Sequence, residues 1–222
     1  MPKLGAMVIG QSPRHDVEAE IRAAAGDGID IDLRGALDGL TRQQIDAIPP
    51  VSDTDTLFTR LPSGDAVSIS KKAVMAHGER QLVDLIAGGF DVTMILCTGD
   101  FPGWSERFRV VYPSRVLRNL VTALQPSGAI GVFTPLPEQA AKTEARWRDA
   151  GLTPTVVPLS PNAEGKAVEA AARHLVPAQP ELLVFDCISY TSQAKRRACE
   201  TLATPGVLAI TAAARAAAEL AS

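Results

Sequence analysis

Cysteine and histidine are scarce in this sequence, and each occurs only three times in 222 residues. The cysteines stand at positions 97, 187 and 199. An odd number of widely separated cysteines does not make a disulfide framework, and in a reducing compartment they are free thiols. No two of the cysteines and histidines have the spacing of a zinc site. The sequence therefore predicts no metal site.

Basic clusters and long apolar runs are missing as well. The longest basic run is Lys195–Arg197, in a chain of formal net charge −3, which gives little support to nucleic-acid binding. No stretch approaches the roughly 20 apolar residues that cross a bilayer. The apolar start of the chain, Met1–Gly10, is too short for a secretion signal. We therefore expect a cytoplasmic protein that has neither a nucleic acid nor a membrane as partner.

Short β-rich apolar runs alternate with helical stretches along the whole chain. This alternation predicts an α/β protein with mostly parallel sheets that are covered by helices. Predicted strands end at positions 9, 97, 133 and 187, and a predicted helix covers Lys71–Ala87, where two glycines close it. The turn-forming residues Pro62–Asp65 separate two further β-rich runs and predict a hairpin over residues 56–70.

The two halves of the chain repeat a pattern. Ser12-Pro13 and Asp16 follow the first strand, and Thr134-Pro135 and Glu138 follow a later strand at the same spacing. We interpret Ser12 and Thr134 as helix caps, because proline suits the next position and an acid suits the first turn. Each half then has a buried strand that ends in cysteine. A strand, a cap and a helix are common in α/β proteins, so coincidence explains the pattern as well as duplication does.

The length suits two lobes of roughly 100 residues each. We predict a first lobe of residues 1–112 plus 205–222 and a second lobe of residues 113–204, with the final strand and helix packed on the first lobe. The region from about Ile48 to Ser70 has no counterpart in the second half. Its hairpin is expected at the edge of the first lobe, where it is a candidate contact in a homodimer, because edge strands invite pairing.

Ligands of open parallel sheets bind beyond the carboxyl ends of the strands. Four predicted loops lie there: Gln11–Arg14, Thr98–Trp104, Thr134–Pro137 and Ile188–Thr191. Two of them follow a cysteine. A cysteine beside helix N-terminal N–H groups can have a lowered pKa and act as base, acid or nucleophile, although a single cysteine is more often a packed core residue. The matching positions of Cys97 and Cys187 favour a catalytic pair, whereas Cys199 falls within a predicted helix and is interpreted as packing.

These loops also supply candidate substrate-binding groups. A carboxylate suits backbone N–H groups and hydroxyls at such loops, and the candidates are Gln11, Ser12, Thr98, Gly99, Thr134, Ile188 and Ser189. Arg14 is a candidate bidentate clamp or, equally, a surface arginine in a first helical turn. Tyr190 is a candidate wall of the site, and aromatic packing is its simpler interpretation.

Four segments resemble the AroM family: VIGQSPR at residues 8–14, LCTGDFP at 96–102, PSRVL at 113–117 and FDCISYT at 185–191. The similarity runs over essentially the whole chain, and AroM proteins in turn resemble the aspartate/glutamate racemase superfamily. That resemblance implies two similar α/β lobes around a cleft that holds the active site, no cofactor, and one catalytic cysteine per lobe. Cys97-Thr98-Gly99 stands where the superfamily has Cys-Asn-Thr, and Cys187-Ile188-Ser189 where it has Cys-Thr-His. Both differences argue against amino-acid racemisation.

The first hypothesis is a cofactor-independent isomerase or racemase that acts on a small carboxylate or cyclic amide by two-thiol acid–base chemistry. Two thiols on opposite faces of one carbon can remove a proton on one side and return one on the other. The alternatives are a single-cysteine nucleophilic enzyme (a cis–trans isomerase, a decarboxylase or a small amide or lactone hydrolase) and a non-catalytic protein that binds a small molecule.

Overall fold

A computed structural model of the chain describes residues 1–99, 101–124 and 129–221. The fold is α/β with parallel sheets, and the chain divides into two compact units. The first unit contains Met1–Tyr112 and the chain from Ala214 onward, and the second contains Pro113–Ala213. Within the described ranges, no helix is both long enough and apolar enough to cross a membrane.

The first unit is built on a four-stranded parallel sheet. Its elements are β1 (Lys3–Val8), α1 (His15–Ala25), β2 (Asp30–Gly35), α2 (Arg42–Asp46), β3 (Thr56–Arg60), β4 (Ala66–Ser70), α3 (Lys71–Ala87), β5 (Val92–Leu96), α4 (Pro102–Ser105) and β6 (Val110–Val111). The sheet order is β2-β1-β5-β6, and every pairing in it is parallel. Val8 pairs with both Gly35 and Leu96, so the loops after β1, β2 and β5 leave the same edge side by side.

The second unit repeats this topology. Its elements are α5 (Pro113–Leu124), β7 (Ala129–Thr134), α6 (Ala140–Asp149), β8 (Thr153–Pro158), α7 (Lys166–Arg173), β9 (Leu182–Phe185), α8 (Ser192–Leu202), β10 (Gly206–Leu208) and the start of α9 (Ala209–Ala221). The residues of α9 from Ala214 onward belong to the first unit. The parallel order β8-β7-β9-β10 matches β2-β1-β5-β6 strand for strand. The sequence repeat therefore corresponds to a structural repeat, in which β5 and β9 occupy equivalent places.

The long helix α3 forms where the sequence predicts it. Ser70 caps its start by accepting a hydrogen bond from the Ala73 N–H, and Gly89 ends the segment with φ +82. Its buried residues recur at helical spacing and include Leu82 and Leu85. They belong to a core in which each fully buried leucine contributes about 1.5–3 kcal/mol.

The predicted hairpin is confirmed. Strands β3 and β4 pair antiparallel as a separate two-stranded sheet, with Leu57 opposite Ile69. Leu57 and Ile69 are buried in the core of the first unit, whereas Phe58 on the other face is 46% exposed. The hairpin thus covers the core with one face only, and a homodimer contact there stays a prediction.

The placement of the final strand was wrong. We predicted that it packs on the first lobe, but β10 pairs in parallel with β9, through Val207 opposite Val184. A strand of three residues gains its hydrogen bonds from whichever sheet edge is adjacent, and the sequence does not carry that information. The helix that follows begins at Ala209, directly after this strand.

Candidate active site

Cys97 and Cys187 occupy equivalent positions in the two sheets. Cys97 comes directly after β5, and Cys187 comes two residues after the end of β9. Each sulfur accepts a hydrogen bond from the backbone N–H two residues later: Gly99 N lies 3.2 Å from Cys97 Sγ, and Ser189 N lies 3.5 Å from Cys187 Sγ. Both thiols are half-buried. The two units therefore present a cysteine at the same strand end in the same local geometry.

The loop after β5 packs closely around Cys97. A Cβ on Gly99 would lie 3.3 Å from Cys97 Sγ and 3.4 Å from the Phe101 ring. Phe101 is fully buried and stacks on Trp104 with ring centroids 4.8 Å apart. Thr98, like Gly99, is half-buried. Asp100 of the same predicted loop lies outside the described residues.

Burial raises the pKa of the Cys97 thiol above its ordinary value, although the Gly99 N–H, the Lys71 ammonium and the Thr98 N–H all act in the opposite direction. Cys97 therefore does not have the lowered pKa that such a loop can give. The physical reason is that a thiolate loses more hydration in this packed loop than the nearby donors replace. Cys97 is accordingly a thiol near neutral pH.

The loop after β1 is held by Asp38, a residue that the sequence analysis missed. The Asp38 carboxylate accepts hydrogen bonds from the Ser12 N–H at 2.8 Å, the Ser12 hydroxyl at 2.7 Å and the Gly35 N–H at 2.7 Å. The Gln11 side chain donates to the Leu37 and Leu40 carbonyls at 3.1 and 2.8 Å. Both candidate residues thus have local partners that fix the loop, and a role in substrate binding stays a prediction for each.

The prediction that Ser12 and Thr134 cap helices is wrong. Helix α1 begins after Arg14, which gives no side-chain cap, and the Ser12 hydroxyl instead donates to Asp38. Thr134 is the last residue of β7, and its hydroxyl contacts the Thr143 hydroxyl at 3.3 Å. Neither Pro13 nor Pro135 occupies a first helical position, because the helices begin at His15 and Pro137. The serine or threonine before each of these prolines therefore lies too far upstream to cap.

Arg14 is buried, with 7% of its surface exposed. Its Nε and one terminal nitrogen donate to the two carboxylate oxygens of Asp16 at 2.8 and 2.7 Å. This bidentate pair lowers the pKa of Asp16. Asp16 engages Nε and one terminal nitrogen of Arg14, and the role of Arg14 as a substrate clamp stays a prediction.

The loop after β9 leads from Cys187 to the start of α8. Thr191 caps α8 by accepting from the Ala194 N–H at 3.1 Å. Tyr190 is almost fully buried, and its hydroxyl donates to the Leu159 carbonyl at 2.6 Å. Burial raises its pKa well above its ordinary range, and the nearby Cys187 and Asp186 raise it further. Ile188 is buried and Ser189 is half-buried. Tyr190 therefore holds this loop in place through its burial and its hydrogen bond to Leu159.

The Asp186 side chain contacts helix α6. Its carboxylate is buried and accepts a hydrogen bond from Trp147 Nε1 at 2.9 Å and another from Arg146. It thereby ties the end of β9 to helix α6. Cys199 has no comparable setting, because a Cβ on Gly206 would lie 2.7 Å from its sulfur. Across the part of the chain that the structure describes, no cluster of histidine, cysteine and acidic residues could hold a metal ion.

A family model described as "AroM protein" matches residues 4–221. No curated protein sequence matches the chain. Among solved structures, the chain is similar to unliganded arylmalonate decarboxylase, with a TM-score of 0.63 and 16% identity over 100% of this chain and 93% of that one.

Two further solved structures are similar in fold to this chain. Maleate isomerase Iso from Pseudomonas putida S16 has a TM-score of 0.64 and 14% identity, over 96% of this chain and 89% of that one. Glutamate racemase from Aquifex pyrophilus has a TM-score of 0.56 and 14% identity, over 96% of this chain and 82% of that one. At these identities the comparisons show a shared aspartate/glutamate racemase-like fold.

Proposed function

The chain belongs to the AroM family, and from that premise we propose that it is a cofactor-independent isomerase or racemase. Its substrate is a small carboxylate or cyclic amide, and Cys97 and Cys187 act on opposite faces of one carbon. The observation that carries the proposal is the equivalent placement of the two cysteines. Each follows the same strand of a repeated sheet, and each sulfur receives the N–H of the residue two positions later.

The chemistry requires a proton to leave one face of the carbon and another to arrive on the opposite face. A hydrogen next to a carboxyl or amide carbonyl is weakly acidic, and its removal places negative charge on the carbonyl oxygen. One sulfur takes this proton as a thiolate, while the other gives its own proton to the opposite face. With reacting contacts of about 3–3.5 Å on each side, the mechanism requires sulfurs roughly 7–9 Å apart.

The raised pKa of Cys97 supports a division of roles. A group that is protonated near neutral pH is ready to act as the general acid. The base of the forward step is then the Cys187 sulfur. The half-buried loops supply N–H groups at Gly99 and Ser189 that stabilise a thiolate while it is present.

The names of the solved structures with a similar fold also support a reaction at a small carboxylate. Their names describe a decarboxylase, a maleate isomerase and a glutamate racemase. Each reaction concerns a small carboxylate, and in each the bonding at a carbon beside a carboxyl group changes. A reaction of this type is therefore the one to test first.

The test measures hydrogen exchange and stereochemical inversion separately. Single enantiomers of candidate carboxylates and cyclic amides are incubated in D₂O with the unmodified protein, Cys97→Ser, Cys187→Ser and the control Cys199→Ser. We expect each active-site variant to lose inversion, because one face lacks its acid or base. The remaining thiol should still exchange the α-hydrogen of one enantiomer, and the two variants should favour opposite enantiomers. Cys199→Ser should behave as the unmodified protein.

The raised pKa of Cys97 also fits one alternative to two-thiol chemistry. If Cys97 stays protonated throughout, Cys187 can act alone as a nucleophile in cis–trans isomerisation, decarboxylation or hydrolysis. Loss of turnover in Cys187→Ser, with near-normal turnover in Cys97→Ser, would favour this alternative. Saturable ligand binding that survives both substitutions, without turnover in any variant, would instead favour a binding protein.

A further inference from the structure

Lys71 is the first residue of α3, and its side chain lies beside the loop that carries Cys97. Its ammonium stands over the Phe101 ring, 5.4 Å from the centroid. The same ring lies 3.4 Å from the Cβ position of Gly99, which is itself 3.3 Å from Cys97 Sγ. These contacts connect Lys71 to Cys97 through Phe101 and Gly99, and all four residues belong to the first unit.

Among the residues that the structure describes, the charge of Lys71 has no acidic partner. Within residues 1–99, 101–124 and 129–221, no carboxylate forms an ion pair with it. The nearby Asp55 instead accepts from the backbone N–H groups of Lys72 and Val51. A cation in the first turn of a helix is disfavoured by the helix dipole, so local stability gives no reason for a half-buried lysine here.

The backbone at this helix start is already occupied. The N–H of Lys72 donates to Asp55 at 3.0 Å, and the N–H of Ala73 donates to Ser70 at 3.2 Å. The Lys71 ammonium is therefore the cationic group at this helix start that stands beside the Cys97 loop. Phe101 supports the ammonium from one side, which limits its motion.

We propose that Lys71 binds the carboxylate of the substrate beside Cys97, so that the substrate is a small carboxylate and not a neutral cyclic amide. This inference rests on the proposed function, and it chooses between the two substrate classes left open there. The ammonium also opposes the effect of burial on the thiol. It can therefore neutralise the negative charge that develops next to the reacting carbon.

The test compares two reagents that alkylate a thiolate by displacing iodide. Iodoacetate is a small carboxylate whose reactive carbon is next to the carboxyl group, and iodoacetamide is its neutral amide. The rate at each cysteine is read separately by peptide mass spectrometry. The ratio of the two rates at one sulfur cancels its thiolate fraction and reports the recognition of the negative charge.

The variants are Lys71→Met, Lys71→Arg and the matched control Lys72→Met, which removes an exposed lysine at the next position. We expect Lys71→Met to lower the iodoacetate-to-iodoacetamide ratio at Cys97 by about three- to tenfold, as a charge several ångströms away in a partly hydrated site implies. Lys71→Arg and Lys72→Met should keep the ratio, and the ratio at Cys187 should not change in any variant.

Three results would overturn the proposal: equal ratios in Lys71→Met and Lys72→Met, equal slowing of both reagents at Cys97 in Lys71→Met, or no reaction of Cys97 with either reagent. The measurement needs no turnover. A lowered ratio in Lys71→Met therefore supports the anion site even when the D₂O experiment fails. An unchanged ratio alongside normal inversion rejects Lys71 and leaves the two-thiol proposal standing.

Discussion

The Asp38 carboxylate offers the sharpest test of how the first loop of the site is built. Replacing it with alanine removes the acceptor for two backbone N–H groups, those of Ser12 and Gly35, and for the Ser12 hydroxyl. Gly35 leaves little room for compensation, because even a Cβ there would lie 2.5 Å from Gln11 Cα and 2.6 Å from Ser12 N. The two chain segments are in direct contact, and Asp38 bridges them.

The magnitude follows from the number and kind of lost bonds. A hydrogen bond to a charged acceptor contributes about 1.5–3 kcal/mol, and a buried donor left without a partner costs about 1–3 kcal/mol. Asp38 is half-buried, and water can replace the acceptor at the Ser12 hydroxyl. We count the two backbone donors only and assign each the lower part of that range, about 1–2 kcal/mol, because water reaches this half-buried site. Asp38→Ala should therefore lower the local opening free energy by about 2–4 kcal/mol.

The assay is amide hydrogen exchange at Ser12 and Gly35, because those two N–H groups lose their acceptor directly. A loss of about 2–4 kcal/mol corresponds to exchange about 30- to 1,000-fold faster. The amide of Ala36, which donates to the Val8 carbonyl at 2.8 Å, is the internal reference. Asp30→Asn, at an exposed aspartate, is the control and should leave all three amides unchanged. Exchange at Gly35 within threefold of the unmodified protein in Asp38→Ala would refute the bridge.

Two further predictions follow from burial. Because burial raises the pKa of Cys97, its thiolate forms at higher pH than an ordinary thiolate. The rate of its alkylation by iodoacetamide should therefore still rise above pH ~8.5. A rate that levels off at or below that pH would contradict this prediction. Trp147→Phe removes the indole N–H that binds the buried Asp186 carboxylate, so it should lower the urea-derived unfolding free energy by about 1–3 kcal/mol. Adding Asp186→Asn should recover part of that loss, and a loss under about 0.5 kcal/mol for Trp147→Phe alone would contradict the reasoning.

Much of the fold could be predicted from local sequence signals. Helix α3 has the predicted bounds, Lys71–Ala87, because a serine cap and paired glycines mark its two ends. Thr41 and Gln44 form a capping box at the start of α2, an arrangement that a threonine and a glutamine three residues apart favour. The hairpin over 56–70 follows from alternation around a turn, and Leu57 and Ile69 face the core accordingly. Each of these features is encoded within a few neighbouring residues.

Local reasoning was weaker at the candidate site, where the decisive partners are distant in sequence. Asp38 reaches Ser12 from 26 positions away, and nothing in its own neighbourhood distinguishes it from a surface aspartate. The proline rule suggested caps at Ser12 and Thr134, but the hydroxyls found partners in Asp38 and Thr143 instead. A hydroxyl takes the nearest good partner in space, which the spacing of residues alone does not reveal.

The amino-acid sequence indicates which strand ends carry a thiol, because Cys97 and Cys187 each come at the end of a short, β-rich apolar run. The equivalence of these two strands comes from the fold, since it is a matter of strand order within a sheet. The structure alone also raised the pKa of Cys97 and brought Lys71 over Phe101. Strand order, burial and charge contacts between distant residues are properties of packing, and they exist only once the chain has folded.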